Sequence, residues 1–317
     1  MPRPSPPTAH RFPTRPRARW PTWTAGTWAR TTPCPTSEPH ASGAQTSSGT
    51  LRKHFQLFAN IRPAKSFPGA EAVCDSADLV IVRENTEGFY ADRNTFAGTG
   101  EFMPTENTAI MMGIITREAT ERVARVAFDL ARSRRKKVTI VHKANVLKLT
   151  TGLFRTVCRE VAQDYPDVTV DDFHIDAMTV HLVRRAQDFD VIVTENMFGD
   201  ILSDLAGEIS GSLGTAPSIN ASADRAMAQA SHGSAPDIAG RNAANPVAMI
   251  LSGAMLFERL AARHEDPAAA KLAKIIEAGV AEAIASGTST RDLGGSASTT
   301  EFTAAVVKAI EAGAGQR

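Results

Sequence analysis

The sequence predicts an α/β fold, and three observations predict it. Short β-branched runs recur along the chain, patterns of helical periodicity separate them, and 317 residues with 43% hydrophobic content suffice for two domains around a substantial core. The β-branched runs are "ADLVIV" (77–82), "KVTIVH" (137–142) and "FDVIVT" (189–194). Near-continuous apolar character of this length is what strands covered on both faces of a parallel sheet require.

The intervening helices can be read in order. "TREATERVARVAFDLARS" (116–133) opens on a candidate threonine N-cap and spaces Val123, Ala127 and Leu130 helically. "ANPVAMILSGAMLFERLAAR" (244–263) is apolar nearly all round and predicts a buried helix. "DPAAAKLAKIIEAGVAEAIASG" (266–287) starts at Asp-Pro and stops at Gly287. "NTFAGTGEFMPTE" (94–106), rich in Gly and Pro, reads as a loop or hairpin arm.

A formal net charge of +1 gives no global electrostatic case for nucleic acid or a membrane surface. No apolar run approaches the roughly 18–20 residues of a membrane span. Cys34, Cys74 and Cys158 are too scattered for a disulfide framework or zinc pattern, and with no secretory signal this predicts a reducing, cytoplasmic setting.

Residues 1–50 differ from everything after them. They hold six arginines, ten prolines, all three tryptophans and a single acid, Glu38. No periodicity survives those prolines. Three readings stay open: a disordered tail, an Arg-rich organellar presequence, or residues out of frame with an ancestral start.

Several constellations carry chemistry. Arg52 and Arg62 flank an apolar helical stretch in "LRKHFQLFANIRP", and "VRENTEGFY" places Arg83 after a strand and then Tyr90. An arginine taken singly most often lies on the surface, but three converging guanidinium forks suit a di- or tricarboxylate. Lys143, in "VHKANVLKLTTGLF", follows a β-run at the end where α/β proteins build sites. Asp176, Asp200 and Asp204 could together hold a hard cation, Mg²⁺ or Mn²⁺. Taken alone, Asp200 would cap a helix after Gly199 and Asp204 would be a solvated acid repelled by it at i,i+4. "HGSAPDIAG" (232–240) is a small-residue loop, not a GxGxxG fingerprint.

In order, "LFANIRPAK", "VRENTEGFY", "HKANV", "GDILSDLA", "HGSAPDIAG", "ANPVAMILSGAM" and "DLGGSAST" resemble the β-decarboxylating dehydrogenases, the family of isopropylmalate, isocitrate and homoisocitrate dehydrogenases, over about residues 51–309. The resemblance implies a two-domain fold with a site in the cleft. Residues 51–57 and 211–317 would form the cofactor domain, and 58–210 the substrate, metal and dimerisation domain. It also implies roles. Arg52, Arg62 and Arg83 would hold substrate carboxylates with Tyr90. Asp176, Asp200 and Asp204 would bind the cation. Lys143 would remove the hydroxyl proton and Tyr90 would protonate the enolate left by CO₂. In such enzymes the lysine and first aspartate come from the partner subunit, so a homodimer is expected.

The loop His232, Gly233, Ser234, Ala235, Pro236 and Asp237, with Asn145 and Asn245, would take the cofactor. A carboxylate at Asp237 accepts from ribose hydroxyls and repels a 2′-phosphate, which predicts NAD over NADP. The chain departs from the family in two places. The family's usual first strand and "GDGIGPE"-like loop do not precede Leu51, so the cofactor domain is expected to lack them, and a catalytically inactive paralogue or fragment is the rival reading. Gln229, Ala230 and Ser231 stand where the family often has Glu-Pro-aliphatic. Among substrates, "LRKHFQLFANIRPAK" favours 3-isopropylmalate, while "HKANVLKLTTGLF" and "DLGGSAST" look more like isocitrate or homoisocitrate enzymes.

Overall fold

The computed structural model describes residues 47–90, 95 and 100–315. Most of the unusual first segment therefore lies outside the described residues. Ser47–Thr50 do not: they form the first half of a helix, α1 (Ser47–His54), which crosses the expected boundary at 51.

The chain continues through β1 (Ala59–Lys65), β2 (Asp78–Glu84), β3 (Glu101–Thr105), β4 (Thr108–Met111), α2 (Arg117–Arg132), β5 (Lys137–His142) and α3 (Thr150–Ala162). Then come β6 (Thr169–His174), α4 (Ile175–Arg185), β7 (Val191–Thr194), α5 (Asn196–Ser210), β8 (Ile219–Ala221) and β9 (Ala226–Ala228). Helices α6 (Val247–His264), α7 (Pro267–Ala285) and α8 (Thr299–Gly315) follow. Among the described residues, seven strands form one sheet in the order β6-β5-β7-β2-β1-β8-β9.

The three strands predicted from sequence are β2, β5 and β7, and they pair parallel with each other. The sheet as a whole is mixed, because β1 runs antiparallel to both β2 and β8. Strand β1 also corrects an expectation. Arg62 lies within it rather than at the end of a helical stretch, since α1 ends at His54.

Alternation along β2 sorts its side chains between two cores. Val80 and Val82 pack with Val123, Ala127 and Phe128 of α2 and Phe154 of α3. Leu79 and Ile81 pack on the other face with Met178 and Leu182 of α4 and Leu202 and Ala206 of α5. Burying each such aliphatic side chain stabilises the fold by about 1.5–3 kcal/mol. A third core joins α6, α7 and α8 through Val247, Val280, Ile284, Phe302 and Val306. Gly43–Arg317 forms one compact unit.

Helix ends follow the predicted chemistry. Thr116 caps α2 by accepting from the Ala119 N–H at 3.2 Å. Asp266 caps α7 by accepting from Ala268 and Ala269, and Gly287 takes a φ of +86° just beyond it. Helix α6 is less buried than predicted. Val247, Ala248, Leu251, Ala254 and Ala261 form its buried stripe, while Met249 (55% exposed), Phe257 and Leu260 face outward. Its apolar composition exceeds what one packed face can cover. Residues 101–111 form an exposed β3–β4 hairpin, with Phe102, Met103, Ile110 and Met111 on its surface. Among the described residues no helix is long and apolar enough to cross a membrane.

Candidate active site

Helix α5 begins at Asn196, not after Gly199. Its N-cap is Glu195, whose carboxylate accepts from the N–H groups of Met197 and Phe198. Asp200 is therefore inside the helix, and Asp204 one turn on. The buried face of α5 carries Phe198, Leu202, Ala206 and Ile209 against the sheet. This leaves Asp200 and Asp204 at the flank, with side chains 33% and 52% exposed.

The strands under that flank each carry an arginine. In the antiparallel β1–β2 register Arg83 lies opposite Asn60, and Arg62 opposite Ile81. Alternation then turns both arginines to the α5 face. Arg52, Arg62 and Arg83 are 8%, 5% and 2% exposed, against the surface placement an isolated arginine would have. Arg83 ends inside β2, one residue before its terminus.

The contacts converge on Asp200. Arg62 Nη1 lies 3.1 Å from its Oδ1, Arg83 Nη1 donates to the same oxygen, and Tyr90 Oη donates to Oδ2 at 2.6 Å. Arg83 also donates through Nε (3.0 Å) and Nη2 (2.7 Å) to Asn196 Oδ1. Arg62 Nη1 donates to Ser203 Oγ at 2.7 Å and reaches Asp204 Oδ1 at 3.4 Å. Arg52 Nη2 donates to Gln229 Oε1 at 3.2 Å.

Charges follow from this packing. Burial pushes the Asp200 carboxyl up, but Arg83, the Tyr90 hydroxyl, Arg62 and Arg52 outweigh it and hold the group below its ordinary range. Asp204 moves the other way, raised by partial burial and by Asp200, against Arg62. Asp200 thus contributes to raising Asp204, and Arg62 and Arg83 oppose it.

Lys143 and Asp176 form a separate pair. Lys143 follows β5 directly, and its Nζ donates to Asp176 Oδ1 at 2.5 Å. That bond holds the Asp176 carboxyl below its usual range. Asp176 does not join Asp200 and Asp204 in this chain: no cluster of three His, Cys, Asp or Glu side chains among the described residues could hold one ion. Asn145 is exposed in the turn after Lys143.

The 232–240 loop is open to solvent. Gly233, Ser234, Ala235, Pro236 and Asp237 are exposed, and Ala235 adopts a left-handed φ of +44°. A Cβ on Gly233 would meet nothing within 4 Å. His232 Nδ1 lies 2.8 Å from the Gly233 carbonyl. Asn245 is half-buried at the loop's end and donates to Asp292 Oδ2 at 2.9 Å. Asp292 also accepts from Ser212 and Thr290, and burial is outweighed by these donors, so its carboxyl stays below the ordinary range.

Residues 31–306 match the sequence model of the isocitrate/isopropylmalate dehydrogenase family. The chain belongs to that family. The match starts ahead of Leu51, within residues whose structure is not described. Family members are dehydrogenases that act on a hydroxyl group with decarboxylation, using NAD or NADP and a divalent metal. The 3-isopropylmalate dehydrogenase of Archaeoglobus fulgidus is 47% identical over 262 residues, which cover 82% of this chain and 76% of the relative. The isocitrate/homoisocitrate dehydrogenase of Thermus thermophilus is 46% identical over 264 residues, 82% and 74% of the two chains. A crystal structure of isocitrate dehydrogenase from Methylococcus capsulatus superposes with a TM-score of 0.77 at 44% identity, covering 86% of this chain and 79% of that one.

Within this family's architecture, some contributors were not legible in the sequence. Asn196 and Ser203 orient the arginines, yet as single polar residues in a helix they carry no motif of their own. Glu195 was hidden because a glutamate is an unusual N-cap.

Proposed function

We propose that the protein is an NAD-dependent, divalent-metal-dependent dehydrogenase that oxidatively decarboxylates a 3-substituted malate, with 3-isopropylmalate as the first substrate to test. The observation that carries this reading is the buried convergence of Arg62, Arg83 and Tyr90 on Asp200. Relatives named 3-isopropylmalate dehydrogenase at 43–47% identity support the choice of acid.

Arg52, Arg62 and Arg83 would pair with substrate carboxylates, exchanging partners with Asp200 as it turns to the cation. Asp200 and Asp204 offer only oxygen donors on one helical flank, which fits Mg²⁺ or Mn²⁺, and a second copy's Asp176 would complete the set. The exposed Asp237 carboxylate fits ribose hydroxyls and disfavours a 2′-phosphate, with His232, Gly233, Ser234, Ala235, Pro236, Asn145 and Asn245 completing the cofactor contacts. When bound, NAD would accept hydride and the cation would stabilise negative charge developing on oxygen. Lys143 would take the hydroxyl proton, and Tyr90 would return a proton to carbon after CO₂ departs.

This division of labour calls for a homodimer with shared sites. Val180 and Val183 of α4 and Ile201 of α5, each about half exposed, give a second copy an apolar surface beside Asp200, and the β3–β4 hairpin gives another. The core built on α6, α7, α8 and Leu293 supports a cofactor domain at 211–317, although Phe67 and Ala70 from the 58–210 side also pack against it. Cys74 and Cys158 are free thiols, in keeping with a cytoplasmic enzyme.

Isocitrate or homoisocitrate is the second reading. Arg52 donates to the Gln229 amide, to which Asn220 also donates, and an extra carboxylate suits such a polar setting better than an isopropyl group does. Purified protein, NAD and Mg²⁺ or Mn²⁺ should reduce nicotinamide with one of the three acids and not the others. Silence from folded, dimeric protein with all three would return the chain to the inactive reading.

A further inference from the structure

We propose that His142 is a positioning residue for Lys143, holding the turn that aims the lysine through a hydrogen bond from the backbone of Ala144. This rests on Lys143 being the base of the proposed reaction.

His142 ends β5, is 2% exposed, and uses both ring nitrogens. The Ala144 N–H donates to Nδ1 at 3.1 Å. That bond fixes the tautomer: Nδ1 is the acceptor, so Nε2 carries the proton and donates to Asp172 Oδ1 at 2.7 Å. Asp172, on β6, is anchored by Arg155 at 3.0 Å and by Arg159, both from α3. The ring is therefore not needed as a cation there. Burial also pushes the imidazole below its ordinary pKa, favouring the neutral form that can accept from Ala144.

The bonds around Lys143 fall on its backbone at both ends. Its own N–H donates to Thr151 Oγ1 at 3.1 Å, and its carbonyl accepts from Val146 and Leu147. His142 supplies the next restraint, at residue 144. In the parallel β5–β6 register His142 lies opposite His174, their rings edge to face at 5.2 Å. Continuing each strand by one or two residues brings Lys143 beside Asp176, the pair observed. A core histidine needs only shape and a partner. This one spends an acceptor on the residue after the lysine, which ties its chemistry to where the lysine points.

Two substitutions separate these functions. His142→Asn keeps an acceptor near Nδ1 for the Ala144 N–H and gives up the bond to Asp172. His142→Gln keeps a donor toward Asp172 and gives up the bond from Ala144. The expected result is that His142→Gln lowers kcat about 10–100-fold with KM within about twofold, because the carboxylate-binding arginines belong to the other cluster. His142→Asn should retain kcat within about threefold. Acetylation of Lys143, read by peptide mass spectrometry with Lys137 and Lys148 as internal references, should speed up in the Gln variant and not in the Asn variant. Equal loss in both folded variants, or a Gln variant with unchanged kcat and labelling, overturns the proposal. If wild type turns over none of the acids, the catalytic reading fails, and the labelling contrast still decides the positioning claim. Should neither variant fold, amide exchange in wild type decides: Ala144 N–H exchanging as fast as an open amide overturns it, and protection upholds it.

Discussion

Gly199 leaves the space that the Arg83 side chain occupies: a Cβ on Gly199 would lie 2.6 Å from Arg83 Cγ and 2.7 Å from its Cβ. A glycine inside a helix costs about 0.5–1 kcal/mol relative to alanine, so its presence in α5 is explained by the arginine beneath it. Gly199→Ala should push Arg83 off Asn196 and Asp200. We expect KM for the acid to rise about 10–100-fold, the scale of a lost charge-assisted contact of about 1.5–3 kcal/mol. Steady-state kinetics beside a thermal melt check this; unchanged KM in a folded variant refutes it.

Mg²⁺ or Mn²⁺ should stabilise the protein. At a hundred times its Kd a cation specific to the native state adds about 2.7 kcal/mol, which a melt resolves easily. Asp204→Asn should abolish the gain, since it removes one of two carboxylates on the α5 flank. A wild-type melting temperature indifferent to both ions would return Asp200 and Asp204 to structural roles.

Stability should carry a signature of Glu195. Burial pushes its carboxyl up to about 7 from the ordinary 4.5; Glu84 adds to this, while the Met197 and Phe198 amides and Arg83 oppose it. The native state thus holds a proton that the unfolded chain releases between those values. The group's contribution is most favourable below pH 4.5, declines as pH rises, and its cost is complete above about 7. Glu195→Gln, which cannot ionise, should lack this dependence, so its stability relative to wild type should rise by up to about 3 kcal/mol between pH 4 and pH 8. Urea unfolding at both pH values tests the sign; a pH-independent difference rules the account out.

Asp237→Ala should weaken NAD and relax discrimination. Losing a carboxylate that accepts two ribose hydroxyls should raise KM for NAD about tenfold or more, and leave KM for NADP less affected. Paired titrations of the two nucleotides measure it, and equal effects on both would assign Asp237 another role.

The strands and the capped helices were legible because their signals are local. The β-branched runs of β2, β5 and β7 and the caps at Thr116 and Asp266 need no knowledge of distant residues. Arg62 illustrates what was not. Its partners Asp200, Ser203 and Asp204 lie about 140 residues away, and only the β1–β2 register under α5 joins them. The helix start at Asn196 carries little sequence signal because its cap, Glu195, accepts from the Met197 and Phe198 amides although glutamate is not a favoured N-cap residue. Helix α6 is less buried than its composition predicts, because composition reports how apolar a helix is, not how many neighbours cover it.

The separation of Lys143 and Asp176 from Asp200 and Asp204 has a consequence at the level of alleles. If each working site combines one group from each copy, a chain carrying Lys143→Ala and a chain carrying Asp204→Asn are both dead alone. Mixed in one dimer they rebuild one intact site, lysine from one chain facing aspartates from the other. Two null alleles expressed together should rescue each other, while two alleles damaged in the same group should not.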